Sequence, residues 1–302
     1  MDRRTAVLEP VLSIPAFDLI FELYVLSRVE KVFEKSTNSG RSVFRSEAYL
    51  AASHTPQKPV GRDQAIEQIA DALRPLARHK TPDNLLVYGP AGTGKTTCVR
   101  HVLDKLEDET RVKPVYINCW QYNTRPSLLT QLLIELGYPA PRKGKPVDER
   151  LSKLREWLDK NRSVAVVLDE FDQLKEKTKA IYDLQLQNEE AENNLAVVMI
   201  SNHHPSQLRL DPRTQSRLNC QALEFTSYNT DQLTEILKQR VEQAFRPGTV
   251  SDGAIQTIAD NVAENSGDCR NALGSLLRAG RKADQEGESD VSAATVAESV
   301  EE

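Results

Sequence analysis

Short continuous apolar runs alternate with longer segments whose apolar positions recur every three or four residues, and this rhythm holds from about residue 63 to residue 225. Ile66, Ile69, Ala70, Leu73 and Leu76 share one helical face after Asp63, which predicts a helix that kinks or ends near Pro75. Asn84–Tyr88, Val115–Cys119, Ser163–Leu168, Leu195–Ile200 and Ala222–Phe225 read as five strands. Between them the spacing predicts helices running to Leu106, over 127–137 and 147–160, and around 176–189. Strands that are apolar on successive residues need cover on both faces, so the pattern predicts an α/β fold: a parallel sheet between two layers of helices.

After Tyr228 the strand pattern stops. Asn229–Thr230–Asp231–Gln232 resembles a capping box and opens a helix to about Ala244, followed by helices at 251–265, 268–283 and 291–299. The chain therefore divides into a lead-in of residues 1–58, an α/β unit of 59–227 and a small all-helical unit of 228–302 with an acidic tail. Residues 35–61, rich in Ser, Thr, Asn, Gly and Pro, read as irregular. Residues 11–26 form an apolar stretch, but Pro15, Asp18 and Glu22 interrupt it. It falls short of the roughly 20 apolar residues that span a bilayer, and no small-residue cleavage site follows it. It predicts a short amphipathic helix in a soluble protein with no membrane partner.

Composition narrows this picture in two ways. A net charge of −5 over 302 residues excludes a uniformly basic coat, so any contact with nucleic acid has to rest on local clusters of Lys and Arg. Cys98, Cys119, Cys220 and Cys269 are scattered and form no CxxC pair, which suits a reducing cytoplasm and gives no zinc site.

The chemistry begins at the turn after the first strand. Gly89–Pro90–Ala91–Gly92–Thr93–Gly94–Lys95–Thr96, followed by Thr97, is a complete GxxxxGK[ST] loop between a strand and a helix. Its glycines let the backbone curl so that successive N–H groups face phosphate oxygens, and the helix N-terminus adds its positive end. Lys95 is placed to reach the β- and γ-phosphates of ATP, and Thr96 to put its hydroxyl on Mg2+. Downstream, Val164–Leu168 forms a buried strand that ends in Asp169 and Glu170. Asp169 suits a magnesium partner, and Glu170 suits activation of an attacking water. Asp172 fits a helix N-terminus or an interface. Asn202, at the tip of the next strand, can orient that water. Arg213 and Arg217 lie where a helical face would meet a neighbouring subunit, and Arg270 opens a helix of the last unit, from which it can fold back over the γ-phosphate.

In this order the motifs resemble the AAA+ ATPases, and within them the archaeal origin-recognition and cell-division-control type replication initiators. The resemblance runs from about Val43 to Glu298 and is carried by PVGRD at 59–63, GPAGTGKTT, VLDEFDQL, ISN, LDPRTQSRL, FTSYNTDQLTEIL and GDCRNAL. It implies an AAA+ nucleotide-binding domain at 59–227 and a helical lid at 228–302. Val60 and Gly61 would flank adenine, Asn202 would be the sensor-1 residue, Arg217 the arginine finger and Arg270 the sensor-2 arginine. It further implies ATP or ADP with Mg2+ as cofactors, origin DNA as a ligand, and other AAA+ subunits or a replicative helicase as partners. Members of this family continue past the lid into a winged-helix domain, before which this sequence stops. The helical pair within 127–158, with Arg142, Lys143 and Lys145 at its turn, is then the candidate for phosphate contact on DNA.

Two other readings stay open on the sequence. A clamp-loader-type ATPase would share the P-loop, the Asp–Glu pair and a Ser–Arg finger, but in clamp loaders a Cys follows that pair, where Leu218 follows Ser216–Arg217 here. A truncated regulator would bind ATP and partner subunits without binding origin DNA itself.

Overall fold

A computed structural model describes residues 42–51, 54–56, 58–138, 146–218 and 220–301, without the side chains of 216–217 and 298–301. The apolar stretch at 11–26 and the basic turn of Arg142, Lys143 and Lys145 lie outside the described residues.

Five parallel strands form the sheet: β1 (Asn84–Tyr88), β2 (Lys113–Asn118), β3 (Val164–Asp169), β4 (Leu195–Ser201) and β5 (Cys220–Glu224), in the order β2-β3-β4-β1-β5. Two of the three interior strands, β3 and β4, are buried along their whole length, as their unbroken apolar sequences require. Side-chain alternation then splits them between two cores. Val166, Leu168, Val197 and Met199 pack with Leu128, Leu132 and Leu154 on one face. Ala165, Val167, Val198 and Ile200 pack with Ile69, Leu73 and Val99 on the other. Each such large side chain contributes about 1.5–3 kcal/mol on leaving water, which is why the register is held firmly.

The covering helices are α1 (Asp63–Ala77), α2 (Lys95–Glu109), α3 (Arg125–Glu135), α4 (Val147–Lys160) and α5 (Lys177–Glu190), with the short α6 (Pro212–Leu218) before the last strand. Pro75 does not end α1 on the spot. It sits in the last turn, and the helix closes two residues later at Ala77, with Arg78 and Lys80 donating back to the Pro75 carbonyl.

The second unit comprises α7 (Thr230–Ala244), α8 (Asp252–Asn265), α9 (Cys269–Glu286) and α10 (Ala293–Glu301). Asn229 and Gln232 form the expected capping box at the start of α7. Residues at the end of the irregular lead-in turn out to belong to this unit. Val43, Phe44 and Leu50 are buried in its core, and the Phe44 and Phe245 rings meet at 4.6 Å. The Val43 N–H donates to Asp284 Oδ1 at 2.7 Å and that of Arg45 to the Ala244 carbonyl at 2.7 Å. No helix among the described residues is long and apolar enough to cross a membrane.

Candidate functional site

The register of the sheet fixes where its carboxyl ends meet. Asn118 lies opposite Asp169, and Tyr88 opposite Ser201, so the ends of β1, β3 and β4 open onto one cleft between the sheet and the helical unit. Its volume of about 440 Å³ lies in the range of small-molecule sites. The loop from Gly89 to Thr96 turns at this edge and runs straight into α2.

None of the three glycines of that loop has room for a side chain, and a Cβ on Gly89 would run into the Phe225 carbonyl oxygen. Gly94 caps α2 with φ +86°, and a Cβ there would stand 2.5 Å from the Tyr228 hydroxyl. Gly92, at φ +69°, would drive a Cβ into the Asp268 carboxylate. The Cys269 N–H also donates to the Gly92 carbonyl at 3.1 Å, so the start of α9 is fastened to the phosphate loop itself. Lys95 is buried in the cleft, and its Nζ donates to the carbonyls of Gly89 at 2.8 Å and Pro90 at 2.6 Å. Burial pushes its ammonium down to about 8, against an opposing pull from Asp169. An anion in the cleft would restore the charge that burial disfavours.

Thr96 Oγ1 donates to Asp169 Oδ2 at 2.9 Å. The Tyr116 hydroxyl from β2 donates to the same oxygen, and the Arg100 guanidinium lies 4.1 Å from the centre of the Tyr116 ring. Burial first, and then the Asp169 carboxylate, raise the Tyr116 phenol, so it stays protonated and a donor. The Thr hydroxyl and the carboxylate are hard oxygen ligands on one spot, with no group of three or more His, Cys, Asp or Glu able to hold a metal among the described residues. That donor set fits Mg2+, which takes one or two protein ligands and completes its shell with waters and phosphate.

Glu170 follows Asp169 in the left-handed region at φ +53°, with its N–H donating to Asp169 Oδ1 at 2.8 Å, and this turn puts it on the cleft wall. Asn202 lines the cleft from the tip of β4 and is exposed. Asp172 accepts from Ser201 Oγ at 3.1 Å and from the Asn202 N–H at 3.3 Å, tying the two strand ends together. Burial works to raise its carboxyl, but hydrogen bonds from Gln173, Asn202 and Ser201 leave it below its ordinary value. Arg270 enters from the first turn of α9, exposed, with Nε 3.6 Å from Asp268 Oδ1.

Of the residues expected at the site, Gly92 to Thr97, Asp169, Glu170, Asn202, Arg270 and Val60 all line the cleft. Gly89 and Pro90 act through the carbonyls that hold Lys95, while Ala91 is exposed off the lining. Gly61 stands outside it, with its carbonyl 3.4 Å from Gln232 Nε2 of α7. Arg213 is exposed on α6, and Arg217 lies on the same helix with its side chain outside the described residues. Tyr116 and Arg100 lie in no motif, and Tyr228 and Asp268, though within FTSYNTDQLTEIL and GDCRNAL, have no role that the sequence assigns. Their roles come from strand register and from the docking of the lid, which no spacing rule reports.

Residues 58–198 match the AAA ATPase domain family, and residues 234–301 match the Cdc6 AAA+ ATPase-type lid domain. The ORC1-type DNA replication protein of Pyrococcus abyssi (strain GE5 / Orsay) is 36% identical over 276 residues, which cover 87% of this chain and 66% of that protein. The chain thus spans just under two thirds of the length of the curated relatives it matches. Among solved structures, the Aeropyrum pernix ORC1 protein in complex with DNA is 31% identical with a TM-score of 0.76, over 85% of this chain and 69% of that one. Cdc6p from Pyrobaculum aerophilum is 25% identical with a TM-score of 0.77, over 86% of this chain and 72% of that one. With the phosphate loop, the Asp169–Glu170 pair and the matching lid in one chain, this protein belongs to the ORC1/Cdc6 family of AAA+ replication proteins.

Proposed function

We propose that this chain is an ATP-dependent molecular switch in DNA replication initiation, of the origin-recognition or helicase-loading type, which binds Mg-ATP and hydrolyses it slowly. The observation that carries the reading is the Thr96–Asp169 hydrogen bond, with Lys95 and Glu170 on the same cleft wall. It joins two sequence motifs into a single phosphate and metal site. Magnesium, when bound, would supply positive charge against the phosphates. Thr96 and Asp169 hold it, Lys95 turns from the loop carbonyls to the phosphates, and Gly92 to Thr97 receive the phosphate chain on backbone N–H groups. Glu170 accepts the proton of the attacking water, and Asn202, steadied by Asp172 through its backbone, orients that water. Arg270 reports the γ-phosphate to the lid, because the helix that carries it is fastened to Gly92.

On this reading residues 59–227 are the nucleotide-binding domain and 228–302 the lid, with residues 43–50 serving the lid. Arg217 is the finger offered to a neighbouring AAA+ subunit. The Aeropyrum relative's complex with DNA supports DNA as a ligand, with origin DNA, bound weakly or through partners, as the proposed target, and the lid match favours an initiator over a clamp loader. A replicative helicase is the proposed downstream partner, and the setting is cytoplasmic. Calorimetric titration with ATP in Mg2+, followed by single-turnover hydrolysis, tests the switch. Saturable binding with slow turnover is expected, and absence of ATP binding at millimolar concentration sinks the reading.

A further inference from the structure

The cleft has a second end, away from the phosphate loop. There it is walled by His54, Pro59 and Val60, which precede α1, and by Ile236, Arg240 and Leu273 from the lid. Ile236 and Leu273 belong to the apolar core of the lid, and Val60 packs against it. Arg240, on α7, sits in this wall only 5% exposed. Its Nε and Nη1 are buried and have no hydrogen-bond partner among the described residues. A guanidinium cannot shed its proton to escape such a position, and a buried cation without an acceptor is costly.

Among the described residues, no carboxylate acts on it. His54 and Cys269 are the titratable groups coupled to Arg240. Burial holds the Cys269 thiol up at about 11, so it stays neutral. Burial, then the charge of Arg240, hold His54 below its ordinary value, so the imidazole is neutral as well. The carboxylates of the phosphate end, Asp169, Asp172 and Asp268, act on Lys95 and not on Arg240. Lys95 and Arg240 therefore answer to different groups. Lys95 faces the phosphate loop, and Arg240 shares its wall with the apolar side chains of Val60, Ile236 and Leu273, a lining that suits a flat heterocycle.

We propose that Arg240 is the base-reading residue of this cleft, donating a buried, charge-assisted hydrogen bond to a ring-nitrogen acceptor of adenine. The inference rests on reading the cleft as a nucleotide site and adds what that reading lacks, a group that distinguishes the base from the rest of the ligand. Apolar walls alone accept any flat ring. A donor that is left unpaired without its acceptor rejects rings that cannot supply one. Because α7 belongs to the lid, the contact also makes seating of the base and placement of the lid one event.

The test compares ATP with inorganic tripolyphosphate, which keeps the phosphate chain and lacks the base. Binding of each in Mg2+ is measured by calorimetry for the wild type and for Arg240→Met, a variant of similar length without the charge. ATP affinity is expected to fall about ten- to a hundredfold, the span of one hydrogen bond to a charged group, while tripolyphosphate affinity stays unchanged. Among 1-deaza-, 3-deaza- and 7-deaza-ATP, one is expected to bind the wild type more weakly and to lose nothing further in Arg240→Met. The ligand-free variant should melt no lower than the wild type, because an unanswered buried charge has been removed. Should Arg240→Met not fold, Arg240→Gln carries the same comparison. Equal ATP affinity in variant and wild type overturns the proposal. So does a matching loss for ATP and tripolyphosphate, which would make Arg240 a structural residue of the lid. A wild type that binds neither ligand brings down the nucleotide reading itself.

Discussion

Thr96 and Asp169 share a hydrogen bond of 2.9 Å, although 73 residues separate them in the chain. Tyr116 donates to the same carboxylate oxygen, so Asp169 is held from two elements, the start of α2 and the middle of β2. A carboxylate fixed in this way needs little reorganisation to take a metal ion beside a phosphate. Asp169→Asn is accordingly expected to weaken ATP binding about tenfold or more in Mg2+, the span of a lost charged contact. In EDTA the variant and the wild type should converge. Titration of a fluorescent ATP analogue under both conditions reads this, and an equal loss in EDTA would assign Asp169 to the fold instead.

Lys95→Ala should separate binding from stability. The ammonium is buried against two carbonyls without a carboxylate on it, and burial already lowers it to about 8. Removing it is expected to leave the melting temperature of the free protein unchanged or higher. ATP affinity should fall about a hundredfold, since a charge-assisted phosphate contact is lost. Retained ATP affinity would count against the phosphate loop.

Glu170→Gln is expected to keep ATP binding while hydrolysis drops about a hundredfold or more, because the amide cannot take the proton of the water. Single-turnover assays make the comparison. Unchanged turnover would move the base to another group. Asp172 is a poor substitute, since its carboxylate is engaged by Ser201 and Asn202.

Arg217→Ala is expected to leave ATP binding by the monomer intact and to remove any rise in ATPase rate with protein concentration. A finger supplied by a neighbour is worth about 10³–10⁵ in rate where hydrolysis is fully activated. Mixing Arg217→Ala with Lys95→Ala should restore part of the activity, because each contributes one intact half-site. A rate independent of protein concentration, without complementation, would return Arg217 to an ordinary position on α6.

Gly280→Ala tests the lid core. Alanine normally favours a helix over glycine by about 1 kcal/mol. Here the new Cβ would stand 2.4 Å from Phe44 Cζ and 2.8 Å from Phe245 Cε1, both in buried rings. Overpacking of that kind costs about 1–3 kcal/mol, so a net loss of stability is expected in urea denaturation. A gain would mean that the aromatic pair can give way.

The sequence by itself determined the elements and the chemistry that is local in the chain. Strands such as Val164–Asp169 and Leu195–Ser201 are legible because continuous apolar residues have one stable use, between two covered faces. The phosphate loop is legible because its glycines, lysine and threonine act over eight consecutive residues. The capping box at Asn229 and Gln232 closes within one helical turn. Tertiary structure decided what depends on which distant segments touch. Phe44 enters the lid core because Phe245 and Gly280 leave a slot for it, and no spacing in residues 35–61 records that slot. Tyr116 meets Asp169 because β2 pairs with β3 in one particular register. Gly61, which the resemblance places beside the base, has its carbonyl 3.4 Å from Gln232 Nε2, a contact between distant segments. Arg240 reads in the sequence as one more charge on an amphipathic helix. Only the closing of the lid against the lead-in takes water from its guanidinium, and burial without a partner is a property of the packed chain, which local sequence cannot encode.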